Sequence, residues 1–150
     1  MKNFITLKNR IKKNEGFRSI AYKDSLGFMT IGYGHLIKKN EKKYLNQKFS
    51  KKHLSEVFDK DFQQALSDFK KNYKRNKFPK NVEEVFIEMI FQIGIQKQKK
   101  FYKILKHIKN KNLFMAALEM KNSLWNKQTP KRVDILTKIL LNTEYEKKRQ

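Results

Sequence analysis

The chain has no cysteine, so it can form neither disulfides nor thiolate-held metal sites. Histidine is scarce too. His35, His53 and His107 do not fall at H-x-x-x-H spacing, so no metal and no cofactor is expected. With two prolines and five glycines in 150 residues there is no Pro/Ser-rich linker, and no internal repeat occurs. The length suits one domain or two lobes sharing a core. Long apolar runs are absent: charges interrupt MKNFITLKNRIKKNEG throughout. Neither a signal peptide nor a membrane span is expected, and the protein is expected to be made in a cytosol and to cross any membrane by other means. Acids are few. Fourteen carboxylates face 36 Lys and Arg, giving a net charge of +22 and a pI near 10.1. That field favours polyanions (nucleic acid, anionic lipid headgroups, anionic wall or outer-membrane polymers) without choosing among them, and a generally Lys-rich surface accounts for the count equally well.

What is present is periodic. Phe4, Leu7 and Ile11 predict a helix over 3–14 with Gly16 as its stop. The texture then changes to β-branched and aromatic residues punctuated by glycine, from Ile20 to His35. Asp24-Ser-Leu-Gly27 reads as the turn between two short strands, and a third strand is expected near 47–49. Ser50 is a candidate N-cap for a helix over 51–74, carried by Leu54, Val57, Phe58, Phe62, Ala65, Leu66 and Phe69. Pro79 and Asn81 restart the chain. Asn81 with Glu84 suggests a capping box, ahead of an apolar face through Val82, Val85, Phe86, Met89, Ile90 and Ile93 that Gly94 closes. Further helices are expected over 98–109 and 112–121, and another opens at Thr129-Pro130. The polar tail from Glu144 is expected to fray. The predicted architecture is α+β. A small antiparallel β lobe (about 16–58) is joined by a linking helix (about 51–74) to a mainly helical lobe (about 1–14 plus 70–150).

Among so few acids, those placed against local logic stand out. Glu83 and Glu84 suit a helix first turn, and Glu56, Asp59 and Asp68 face solvent. Glu15 ends a helix, where the dipole disfavours negative charge, and precedes Gly16-Phe17. If buried, it would have a raised pKa, as a general acid requires. By position alone it fits a surface Glu beside Lys12 and Lys13 better. Asp24 alone is an ordinary turn residue. Together the two suggest a glycosidase pair, with Thr30 on the returning strand able to hold a water. Asp61 lies on the apolar stripe of the long helix and needs a partner. His35 is the candidate, in a structural role.

Glu15-Gly16-Phe17-Arg18, Tyr22-Lys23-Asp24, Gly27 and Thr30-Ile31-Gly32-Tyr33-Gly34-His35 resemble the phage-type lysozymes (glycoside hydrolase family 24). The likeness continues through Phe91-Gln92-Ile93-Gly94, Phe101, Ala116-Ala117, Trp125, Gln128-Thr129-Pro130 and Arg132, covering nearly the whole chain in order. The resemblance implies cleavage of the β-1,4 bond between N-acetylmuramic acid and N-acetylglucosamine with inversion. Glu15 would be the general acid, Asp24 the second carboxylate, and Thr30 would position the water. Leu36 and Phe91 would border the glycan, Arg132 would pair with Glu15, and His35 with Asp61. It also implies a monomer that acts as an endolysin, held in a host cytoplasm until released to the periplasm or wall at lysis. The chain departs from the family's pattern between His35 and the long helix, where it is shorter. It also departs at Asn14, Ile104, Glu119 and Leu124, so its subsite contacts are expected to differ from the family's.

Two readings compete. A nucleic-acid-binding module would use the basic surface with exposed aromatics as stacking platforms. However, most aromatics fall on apolar stripes and no nucleic-acid motif occurs, so no specific nucleic acid is expected. A non-catalytic wall-binding protein would not need Glu15, Asp24 and Thr30 together. The basic segment 97–111 is either a solvated helix face or a membrane-perturbing one.

Overall fold

The computed structural model describes residues 3–144. Its elements follow the hydrophobic periods. α1 (Ile5–Glu15) buries Leu7 and Ile11 and ends at Gly16, whose φ of 73° suits glycine and whose N–H donates to Lys12 O. β1 (Arg18–Lys23), β2 (Met29–Gly32) and β3 (His35–Leu36) form one antiparallel sheet in the order β1-β2-β3. Tyr22 pairs with Thr30, Thr30 with Leu36, and Ile31 with His35, and an irregularity between Arg18 and Tyr22 bulges β1. A 3-10 turn over Lys42–Tyr44 precedes α2 (Lys51–Tyr73). Ser50 Oγ accepts the His53 N–H at 3.1 Å, so it caps α2 as its position predicted. There follow α3 (Lys80–Ile93), α4 (Ile95–Gln98), α5 (Tyr102–Lys109), α6 (Leu113–Lys121), α7 (Leu124–Gln128) and α8 (Pro130–Leu141). The small antiparallel sheet and mainly helical remainder are the α+β class expected from the sequence.

Several expectations are corrected. The third strand is His35–Leu36, not 47–49. After Gly32 and Gly34, both at positive φ, the chain folds straight back on β2. Near the expected site, the Phe49 N–H donates to Ser19 O at 3.0 Å without forming a strand. The helix expected over 98–109 is broken: α4 stops at Gln98 and α5 begins at Tyr102. The capping box at Asn81 and Glu84 does not form, because α3 begins at Lys80 with an extended Pro79 as its N-cap, two residues ahead of the expected cap. Glu84 is buried rather than lying on a solvated first turn. α7 and the 3-10 turn, both short, were not anticipated. The tail beyond Glu144 lies outside the described residues.

The chain divides into two compact units, Met1–Leu66 and Ser67–Gln150, and the division falls within α2. α1 belongs to the first unit, whereas the sequence grouped 1–14 with 70–150. Phe4 packs on Phe62 at 5.8 Å, and Lys8 lies 3.8 Å from Asp59. Between sheet and helix, Ile31, Tyr44 and Leu54 form a buried cluster with Ile37, Phe49 and Val57 against it. The second unit packs Phe86 edge to face with Tyr73 and with Phe78 and buries Val82, Val85, Met89, Ile104, Ile108, Met120, Val133, Leu136 and Leu140. Tyr73 donates its hydroxyl to Gln98 at 2.7 Å, and Lys121 and Lys138 both hold Asp134, keeping its carboxyl down at about 2. Ser50→Ala should lower stability by about 0.5–2 kcal/mol, the usual worth of such a cap. Urea denaturation checks this, and an unchanged midpoint would contradict it.

Candidate active site

Glu15 is the last residue of α1 and is half-buried. Its carboxyl rests on the turn between β2 and β3. A Cβ built on Gly34 would overlap it, lying only 2.8 Å from Glu15 Cδ. Gly34 also has φ +80°, so both backbone conformation and close approach require glycine there. The turn is braced on its other side. The Tyr33 ring stands 5.0 Å from Phe17 and 5.8 Å from Phe58, and the Lys12 ammonium lies 5.1 Å from the Tyr33 ring centre.

Asp24 closes the β1–β2 hairpin. Its Oδ1 accepts the N–H groups of Leu26 (2.9 Å) and Phe28 (2.8 Å), and backbone bonds run from Asp24 N to Phe28 O and from Gly27 N to Asp24 O. One carboxylate oxygen therefore organises the turn, and Oδ2 lies outside those two bonds. Thr30 is 3% exposed, and its hydroxyl donates to Phe28 O at 3.0 Å. With its proton so committed, Thr30 Oγ1 offers its remaining capacity as an acceptor.

Tyr22 reports on both acids. Its phenol is held above its ordinary value by burial first, then by the negative charge of Glu15. Arg18 opposes this from 4.8 Å over the ring, and Asp24 adds to it. Glu15 and Asp24 thus act on one phenol. Opposite it in the register stands Thr30, and next to Thr30 is Leu36, 52% exposed. The sequence alone marks Tyr22 and Arg18 only as parts of a motif.

His35 and Asp61 are brought together: Nδ1 lies 2.7 Å from Asp61 Oδ2. The sequence missed the second partner, Glu41, whose Oε1 and Oε2 lie 3.0 and 3.2 Å from Nε2. The available signal was an isolated acid in the Lys-rich run 37–48. The hydrogen bond from Asp61 is the largest influence on the imidazole. Against the opposing effect of burial, it and the bond from Glu41 raise the His35 pKa above its ordinary value. Burial tends to raise Glu41, but the Lys38 N–H (3.0 Å) and His35 outweigh it and hold that carboxyl below its usual range.

Phe91 and Arg132 belong to the second unit. Phe91 is half-buried on α3. Arg132, on α8 and 8% exposed, donates Nε to Glu88 Oε2 at 3.0 Å, and Glu88 is fully buried. Beside them Trp125 Nε1 donates to Gln92, which donates to Thr129. Glu88, on the inner face of α3, was not foreseen as the acid next to Arg132. Of the departures from the family pattern, Ile104 is buried in the helical core and offers a glycan nothing, while Leu124 is 68% exposed. Among the described residues no group of three or more His, Asp or Glu is arranged to hold a metal ion, and no helix is long and apolar enough to cross a membrane.

The phage lysozyme family model matches residues 12–139. Two curated proteins of Dictyostelium discoideum are similar over most of their length. "Probable T4-type lysozyme 2" is 35% identical across 85% of this chain and 88% of that protein. "Probable T4-type lysozyme 1" is 30% identical across 90% and 93%.

Two tests follow from the geometry. Asp61→Asn should destabilise by about 1–2 kcal/mol, below the usual ~1.5–3 for a bond to a charged group because Asp61 is partly solvated. The raised His35 value sets the sign. Its contribution is complete below the ordinary value of 6.5 and is lost as pH rises through the raised one. The gap in Tm between the two proteins should therefore be widest near pH 5–6 and narrow on the alkaline side. A gap that widens with pH would contradict the pair. Gly34→Ala should cut turnover by roughly a hundredfold, because the added methyl must displace the Glu15 carboxyl. Rates near those of the parent in a folded Gly34→Ala protein would show that this close approach does not matter to the chemistry.

Proposed function

We infer that this chain, which belongs to the phage lysozyme family and is a glycosidase acting on peptidoglycan, cleaves the β-1,4 bond between N-acetylmuramic acid and N-acetylglucosamine with inversion. The observation that carries the reading is the Glu15 carboxyl lying against Gly34 of the β2–β3 turn, with Thr30 on β2 and Asp24 at the β1–β2 hairpin of the same sheet.

In this reading Glu15 gives its proton to the glycosidic oxygen as the bond to the anomeric carbon breaks. Positive charge grows on the ring and falls in the field of Asp24. A water attacks the opposite face of that carbon and loses its proton to Asp24. Thr30 Oγ1, whose own hydrogen is engaged by Phe28 O, accepts one O–H of this water and turns the lone pair toward the sugar. The fixed turn around Asp24 costs no reorganisation at the moment of reaction, which is what makes such groups effective. Inversion requires space for water, so the working carboxyls are expected ~6.5–9.5 Å apart. Leu36 and Phe91 are proposed as glycan-bordering residues and Arg132 as structural support.

Lysis of a host cell, with the enzyme kept in the cytoplasm until release to the wall, is proposed as the role. A monomer that adsorbs through its Lys-rich surface fits the charge of +22. The organism of the two relatives favours a second reading of the role: the same hydrolysis serving a purpose other than lysis of a phage host.

Glu15→Gln keeps the shape of the side chain and removes the transferable proton. It should abolish peptidoglycan hydrolysis, a loss of at least about 10³-fold, while the protein stays folded. Mass spectrometry of the wild-type digest should find N-acetylmuramic acid at reducing ends. Clearing at the wild-type rate by folded Glu15→Gln, or anhydro-sugar products, would defeat the assignment.

A further inference from the structure

We propose that Glu41 is a positioning residue for the general acid. By gripping the edge of the His35 ring that Asp61 leaves, it fixes the turn through Gly34 and so the wall on which the Glu15 carboxyl rests. The inference rests on the reading of Glu15 as the proton donor.

The chain of contacts is short. Glu15 meets Gly34, and Gly34 is bonded to His35. The His35 ring lies between Asp61 of α2 at Nδ1 and Glu41 of the preceding loop at Nε2. One hydrogen bond to an imidazole pins a point and leaves the ring free to swing about it. Two bonds on opposite edges restrict the ring's swing, and with it the backbone of the two-residue strand that carries it. β3 pairs with β2 through Thr30–Leu36 and Ile31–His35, and just beyond it the Ile37 N–H donates to Met29 O at 2.9 Å. Glu41 is itself immobilised. Its Oε1 accepts the Lys38 N–H, its own N–H donates to Lys38 O at 2.9 Å, and its carbonyl accepts the Tyr44 N–H at 3.1 Å. The loop over 37–44 thus forms a rigid bracket, anchored by the buried Tyr44 ring and its hydroxyl contact with His53 Nε2 at 3.0 Å.

The groups facing the imidazole are Asp61 from α2, Glu41 from the loop and the Tyr44 ring, edge-on at 6.0 Å, from the 3-10 turn. Both nitrogens look at carboxylates, so the protonated ring satisfies both at once. Loss of either proton turns a lone pair toward a carboxylate and opens the bracket on that side. A grip of this kind needs both carboxylates ionised and the ring protonated, so it is lost as pH rises through the raised His35 value. Removing the charge of Glu41 moves that failure to lower pH.

The test uses the full chain with Glu41→Gln. Initial rates on solubilised, uncross-linked peptidoglycan are measured from pH 5 to 8, alongside an NMR titration of the Glu15 side-chain carboxyl carbon. At pH 8 kcat should fall about tenfold. At pH 5 the protonated ring can still donate to the amide carbonyl that the substitution leaves in place of the carboxylate, so the loss should be no more than about a third of that. KM should stay within about twofold, and the Glu15 titration midpoint should shift. A merely structural Glu41 would lower Tm while the kcat–pH profile and the Glu15 titration superimpose on those of the parent, and that result overturns the proposal. So does a rise in KM with kcat unchanged. Glu41→Asp keeps the charge but is one methylene shorter. It should show the same pH-dependent loss in smaller measure, and serves if the Glu41→Gln variant folds poorly. If Glu15→Gln proves active, the reading of Glu15 fails by itself. The Glu15 titration still tells whether Glu41 governs that carboxyl.

Discussion

A histidine ring held between two carboxylates organises the first unit. With Asp61 at 2.7 Å on one edge and Glu41 at 3.0 Å on the other, the surroundings favour the imidazolium over the neutral ring. Its 9% side-chain exposure would ordinarily disfavour that charge, yet the two partners outweigh burial. The arrangement costs desolvation, and apolar packing of the same volume would serve bulk stability as well or better. What it supplies is direction. The bonds join α2, the shortest strand and the 37–44 loop at one point, where apolar contacts alone would tolerate sliding.

Position is what the neighbouring chemistry consumes. Proton donation tolerates little misplacement, and the Glu15 carboxyl has no helix beyond it to define its place, since α1 ends there. Its carboxyl leans on the bare Cα of Gly34, so a shift of that turn moves the surface beneath it. Asp24 is fixed differently, by two backbone N–H groups of its own hairpin. One acid is located by a tertiary contact and the other by a local turn. Disturbance of the His35 bracket should therefore reach Glu15 and leave Asp24 where it is.

Much of this was legible in the sequence because it is local or periodic. The 3.6-residue stripe through Leu54, Phe58, Phe62, Ala65 and Phe69 gave α2 to within a residue of its end. Asp24 and Gly27 gave the hairpin turn, and Thr129-Pro130 gave the start of α8. The ion pair of His35 and Asp61 could be inferred because a carboxylate on an apolar stripe demands a partner. Glu41 could not. It sits in a loop without period, and nothing in IKKNEKKY says which way a side chain points. β3 was misplaced for a related reason: two residues are too few to show alternation, and their pairing follows from the glycine turn before them. The break between α4 and α5 has no Pro or Gly to mark it. Glu88 was overlooked because an acid on an apolar helix face reads as an exception until its cation, 44 residues later, is folded against it.

The scarcity of acid gives these placements their meaning. In a chain with 36 cations, a carboxylate at random finds a lysine nearby, and most such pairs are worth little in water. The acids that matter here are distinguished by contacts of another kind. Asp61 and Glu41 share a histidine, Asp24 takes backbone amides, Glu88 takes a buried guanidinium, and Glu15 lies against a glycine. Such contacts have one geometry, whereas a solvated lysine follows its partner wherever it moves. The abundant surface cations can therefore supply attraction to an anionic substrate without setting where any of these carboxylates sits, and the few acids can be placed by the fold alone.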